Sequence, residues 1–307
     1  MSSSKYSAPR AWPRKSRELQ NWICDSTRWN DFEFRRGDIV ISTWSKAGTT
    51  WLQQIVGQLL FPGVPDLPVM DLAPWVDMRV IPKEEITRTL GGQTHRRFMK
   101  THLPVDALVF SPEAKYIYAA RDGRDVLWSW YHHHVSFSEQ AYDMINNTPG
   151  LVGPPLERPT PDVRAYFHEW LDRDGFPVWS FWQHVQSWWD IRGLDNVLLV
   201  HYADLKQDLP GEMRRVAEFL GIEIDEHMWP SMVRHCTFEH MKRNAEVLSP
   251  LLGAVFDGGA QSFVNKGTND RWRDVLNAAD IEKYERIASA NLTPDCAGWL
   301  ATGKLHV

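Results

Sequence analysis

Cysteine is scarce in this 307-residue chain. The three present, Cys24, Cys236 and Cys296, are odd in number and far apart. That excludes a disulfide framework and a cysteine-built zinc site, and it fits a reducing compartment. Long apolar runs are missing too. The longest purely aliphatic stretch, 197–200, is far below the ~20 residues that cross a bilayer. The polar, basic N-terminal segment contains nothing like a secretory leader, so the expectation is a cytoplasmic protein. Basic charge is also in deficit, with 34 Lys and Arg against 39 Asp and Glu and a net charge of −5. Nucleic acids and anionic membranes call for a basic face, so neither is an expected partner.

Apolar residues make up 43% of the chain, enough for a sizeable core. The 16 tryptophans belong mostly to that core. Repeats and low-complexity linkers are absent, which favours a single domain over 1–307. The prolines of 147–161 mark a long surface loop. Short β-branched runs predict buried strands over 38–43, 97–101, 115–120 and 196–201. Amphipathic stretches predict helices over 49–61, 124–135, 178–191 and 212–220. Strands alternating with helices imply a three-layer α/β fold with a central parallel sheet flanked by helices. Ligands of such folds sit at the carboxyl ends of the strands.

Three segments fall at those ends. The first strand runs through Trp44, Ser45, Lys46, Ala47 and Gly48 into a helix opening on Thr49, Thr50 and Trp51. A helix start offers unpaired N–H groups to an anion, and the lysine and hydroxyls add donors. This is not a Walker A loop, because the lysine precedes the glycine and no Lys-Ser/Thr pair follows. Alone, it would read as a threonine-capped helix with a solvated lysine. The second segment ends a strand with Lys100, Thr101 and His102, where a neutral imidazole suits a general base. In the third, Arg121 leaves a strand and Ser129 lies two turns into the following helix, a pairing suited to phosphate.

Together these segments resemble the cytosolic sulfotransferases that depend on 3′-phosphoadenosine 5′-phosphosulfate (PAPS), in their bacterial small-molecule or aryl form. Residues 43–51 match T-Y-P-K-S-G-T-T-W except at Trp44, Ser45 and Ala47. K-T-H-L-P stands unchanged at 100–104, and R-x-x-[KR]-D-x-x-x-S at 121–129. Tyr202 and Asp204 match the family's Tyr-x-Asp, and Thr237, Phe238, Met241, Lys242 and Asn244 its T-F-x-x-M-K-x-N. Its R-K-G loop appears as Asn265, Lys266 and Gly267, followed by Trp272. The matches keep their order from about residue 38 to 273.

The resemblance implies a P-loop-like fold, PAPS as sulfuryl donor with 3′-phosphoadenosine 5′-phosphate (PAP) as product, and no metal. It places Lys46 at the leaving phosphate, His102 as base and Lys100 beside them. Ala47, Gly48, Thr49 and Thr50 lie around the 5′-phosphate, with Trp51 and Phe238 on either side of adenine. Arg121, Ser129, Lys266 and Gly267 fall to the 3′-phosphate, and Tyr202 and Thr237 to the nucleoside. Asn265 stands where the family has arginine, so either cofactor affinity is lower or a neighbour such as Arg271 or Arg273 substitutes. The first ~25 residues would edge the acceptor pocket or be flexible. Trp22, Trp75, His133 and Phe137 would line that pocket and favour a phenol or another flat hydroxyl compound. The family's dimer segment is only partly present, so monomer and homodimer stay open.

Residues 132–134 are three consecutive histidines, but helical neighbours point about 100° apart and cannot chelate one ion. A surface and pocket-edge cluster is expected there, and no metal is assigned. A small-molecule kinase of the P-loop type, with Asp204 as its magnesium ligand, is the runner-up. A non-catalytic PAP-binding protein ranks third.

Overall fold

A computed structural model describes residues 12–248 and 252–304. The β-branched runs become β1 (Ile39–Thr43), β2 (Phe98–Thr101), β3 (Lys115–Ala120) and β4 (Val197–His201). They form one parallel sheet in the order β2-β1-β3-β4. Asp38 and Arg97, read as strand residues, stand just outside it and pair with each other, Nε to Oδ1 2.8 Å.

Side chains alternate across a strand, so each face receives every second residue. Ile39, Ile41, Ile117 and Val200 face α1 (Thr49–Leu60) and a later helix, Leu209–Leu220. Val40, Met99, Tyr116 and Tyr118 face the opposite, tryptophan-rich layer. There Trp188 stacks on Tyr118, with ring centroids 5.1 Å apart and planes 4° from parallel. Each large side chain so buried contributes about 1.5–3 kcal/mol. The helix α2 (Gly123–Val135) packs in this second layer through Val126, Leu127 and Trp130.

The helix expected over 178–191 begins at Phe181, where the Ser180 side chain accepts from Gln183 N–H at 3.1 Å. The one expected over 212–220 begins at Leu209, capped by Asp208, with Pro210 in its first turn. The proline-rich loop is anchored as well as exposed: Leu156 is buried, and Asn146 bonds both its N–H and its C=O. Because all four strands are parallel, Thr43, Thr101, Ala120 and His201 end at one edge of the sheet. No helix among the described residues is long and apolar enough to cross a membrane.

Candidate active site

The loop after β1 takes a shape that few side chains allow. Lys46 has φ 70° and Gly48 φ 108°, and a Cβ on Gly48 would lie 3.1 Å from the Tyr202 ring. Gly48 is also the N-cap of α1 and supplies no side-chain cap. The first turn therefore presents its N–H groups and its positive dipole end to the cavity. Thr49 is tied back, its hydroxyl 2.6 Å from that of Thr43. Trp51 donates Nε1–H to the Cys236 carbonyl at 2.8 Å, which fixes its ring on the cavity wall.

Arg121 lies across the Tyr202 ring, 4.2 Å from its centroid. It donates to the Thr268 carbonyl at 2.9 Å and to Asn269 Oδ1 at 2.8 Å. Lys206 Nζ holds the Gly267 carbonyl at 2.6 Å, and Lys242 Nζ holds that of Asn265. Gly267 has φ 62°, and a Cβ there would strike the Phe238 ring at 2.5 Å. Thus Arg121, Ser129, Tyr202, Phe238, Asn265 and Gly267 converge on one cavity with the loop after β1. Thr237, Lys266 and Ala47 do not line it. Thr237 instead caps the helix Phe238–Arg243, accepting from His240 N–H at 3.2 Å. Of the two arginines named beside Asn265, Arg273 is drawn off to Asp270 at 2.8 Å. Arg271 donates to His132 Nε2 at 3.0 Å. Burial lowers its pKa, and the nearby Arg121 charge adds to the effect.

His102 is buried at the tip of β2, with Nδ1 2.7 Å from the Thr43 carbonyl. A carbonyl only accepts, so Nδ1 carries the proton and Nε2 keeps its lone pair. Burial drives its pKa well below 6.5, helped by the Lys100 charge, and the ring stays neutral near pH 7. Lys46 Nζ lies 3.2 Å from His133 Nδ1 and 4.7 Å from the Phe263 centroid. Burial, then Lys100 and Arg121, brings its pKa down to about 7. Lys100 sits 4.7 Å over the Trp75 ring. Burial lowers its pKa to about 8 against the opposing pull of Asp77.

Asp77 was not foreseen. It is fully buried and accepts from Trp29 Nε1 at 3.0 Å, Trp75 Nε1 at 2.7 Å and Cys24 Sγ at 3.4 Å. It thereby holds Trp75 edge-on to His102, with centroids 4.7 Å apart. A lone acid two residues after Trp75, in an otherwise apolar run, was the available signal.

The cavity is continuous, about 610 Å³, and Trp22, Trp75, His133 and Phe137 all line it. Much of its remaining wall is aliphatic or methionine, including Met70, Met78, Ile81, Ile86 and Met144. These residues recur with no period that marks a site. His132 and His133 line the cavity, in keeping with a pocket-edge cluster, and the expectation is corrected for His134 alone. His134 is buried between the Tyr166 hydroxyl, 3.0 Å, and the Glu157 carbonyl, 2.8 Å. His133 faces Lys46 inside the cavity, and His132 meets Arg271.

A lysine-glycine loop feeding an open helix start at a parallel sheet edge is the P-loop-like arrangement of enzymes that hold nucleotide phosphates. The sulfotransferase domain family matches residues 36–294, and the chain belongs to that family. A glycolipid sulfotransferase of Mycobacterium bovis is 30% identical, over 92% of this chain and 93% of its own. Sulfotransferase 1B1 of Mus musculus is 31% identical, over 87% and 85%. Among solved structures, retinol dehydratase in complex with retinol and PAP superposes with a TM-score of 0.68 at 23% identity. That alignment covers 87% of this chain and 84% of the other. Mouse SULT7A1 complexed with PAP gives 0.67 at 21%, over 89% and 91%. At those identities the structural likeness speaks for the fold.

Proposed function

We propose that this protein transfers a sulfuryl group from PAPS to a hydroxyl on a small acceptor with an aromatic or otherwise apolar body. The observation that carries the reading is the His102 tautomer. Thr43 C=O holds the proton on Nδ1, so Nε2 is ready to accept another, in the cavity that Lys46 also lines.

The residues fit the donor. The uncapped first turn of α1 and the hydroxyl of Thr50 suit the 5′-phosphate, and Arg121, Ser129 and the Gly267 backbone the 3′-phosphate. Trp51 and Phe238 offer aromatic faces to adenine. His102 takes the acceptor proton while the acceptor oxygen bonds to sulfur and the bond from sulfur to the phosphate oxygen breaks. Lys46 meets the charge that grows on that departing oxygen, and Lys100 adds positive potential beside it. The apolar wall supports an acceptor of low polarity, as do relatives named for glycolipid and a fold neighbour solved with retinol. A magnesium-dependent kinase finds less support, because Asp204 does not line the cavity.

The test plots log rate against acceptor pKa for wild type, His102→Ala and Lys46→Met. General-base loss costs about 10²–10⁴-fold, and the His102 deficit should narrow for acidic phenols that arrive ionised. The Lys46 deficit should be the same for every acceptor, since the leaving group never changes. Parallel lines for His102→Ala would place the base elsewhere.

A further inference from the structure

We propose that His133 recognises a second oxygen on the acceptor, beside the hydroxyl that is sulfated. This rests on Lys46 acting as an ammonium in the reaction described above. An ammonium has only protons to give, so the 3.2 Å contact makes His133 Nδ1 the acceptor. The imidazole is neutral, because burial and the Lys46 charge both push its pKa well below 6.5. Its one proton therefore sits on Nε2. Among the described residues that N–H has no hydrogen-bond partner, although the ring lines the cavity.

The surroundings leave it nothing else. The ring packs against Phe137 at 4.9 Å, Phe256 at 4.8 Å and Phe263 at 5.9 Å between centroids. Gln140 and Ser262 also line the cavity, but the Ser262 hydroxyl is given to the Asp257 carbonyl at 2.7 Å, and neither side chain bonds His133 among the described residues. A donor walled in by aromatics is costly to leave unpaired, so it selects a ligand that brings an acceptor atom to it. Its position sets where that atom lies. Nε2 is one imidazole ring and one hydrogen bond from Lys46 Nζ, which attends the reacting centre. The second oxygen therefore lies on the part of the acceptor near the sulfated hydroxyl, and the shortest such spacing is between neighbouring carbons. The class is a 1,2-dioxygenated compound on an apolar body: a catechol or its monoether, or the diol of a lipid-like alcohol.

Two matched pairs test this with PAPS as donor. The aryl pair is 2-methoxyphenol against 4-methoxyphenol, and the alkyl pair 1,2-decanediol against 1-decanol. Wild type should favour the 1,2-dioxygenated member of at least one pair by about tenfold in kcat/KM, and the pair that responds identifies the body. In His133→Phe, or in His133→Leu should the first variant misfold, that ratio should fall to about one. Ratios near one for both pairs in wild type, or a ratio that survives in the variants, would overturn the role of His133 alone. Sulfation of no acceptor of any kind would overturn the sulfuryl-transfer reading and this inference with it.

Discussion

Binding of PAP should draw protons from solution, and their number reports on Lys46. Burial, reinforced by Lys100 and Arg121, lowers this lysine to about 7. In the free protein it is then about nine-tenths neutral at pH 8 and about one-tenth neutral at pH 6. A bound polyanion holds the ammonium form, so binding should take up about 0.9 proton at pH 8 and about 0.1 at pH 6. Lys100, lowered to about 8, adds up to about half a proton at the higher pH. The sign follows from the shift: the bound state carries more protons, so affinity falls as pH rises through 7. One linked proton makes that fall about tenfold per pH unit above the pKa of the free protein. Calorimetry in buffers of low and high ionisation enthalpy reads the uptake as the slope of observed heat against buffer heat. Lys46→Met should lose the larger part and keep that of Lys100. A slope of zero at pH 8, or a full uptake in Lys46→Met, would refute the assignment.

Arg121→Ala should weaken PAP binding by about 1.5–3 kcal/mol, the worth of a charge-assisted hydrogen bond. Unchanged affinity by calorimetry would move the 3′-phosphate elsewhere. Asp77→Asn keeps the shape but removes the charge that sustains the Lys100 ammonium. The alkaline limb of kcat should move to lower pH while PAP affinity holds at pH 6, where Lys100 is already protonated, and a limb that stays put would refute that linkage. Gly48→Ala forces a side chain into positive φ against Tyr202 and should cost about 1 kcal/mol or more of stability in urea unfolding, with weaker PAP binding. An unchanged midpoint and affinity would mean that the loop adjusts freely.

The sheet was readable because parallel strands are buried on both faces and so appear as unbroken β-branched runs. Lys46, Gly48 and Thr50 could be grouped from the sequence because they fall within 46–50 at a strand tip, and Arg121 and Ser129 because they fall within 121–129 at another strand-to-helix junction. Asp77 was not, since its role exists only where Cys24, Trp29, Trp75 and His102 meet in space. The burial of His134 was missed for a related reason. Helical spacing showed that the three rings diverge, but not that the loop through Glu157 covers one of them and Phe256 another. Thr237 carried the right motif, yet its hydroxyl is used by its own helix start. Local hydrogen bonds of this kind compete with any binding role.

His102 takes its orientation from a main-chain oxygen of residue 43, and every residue type supplies that atom. No side-chain replacement at that position can delete the contact. What the contact needs is the alignment of two neighbouring strands, in which Ser42 stands opposite Thr101. The proton position on the imidazole is thus written in strand register rather than in residue identity. Point changes near the tip of β1 can accumulate while it persists, whereas inserting or deleting one residue in β1 or β2 would shift the carbonyl out of reach at a stroke.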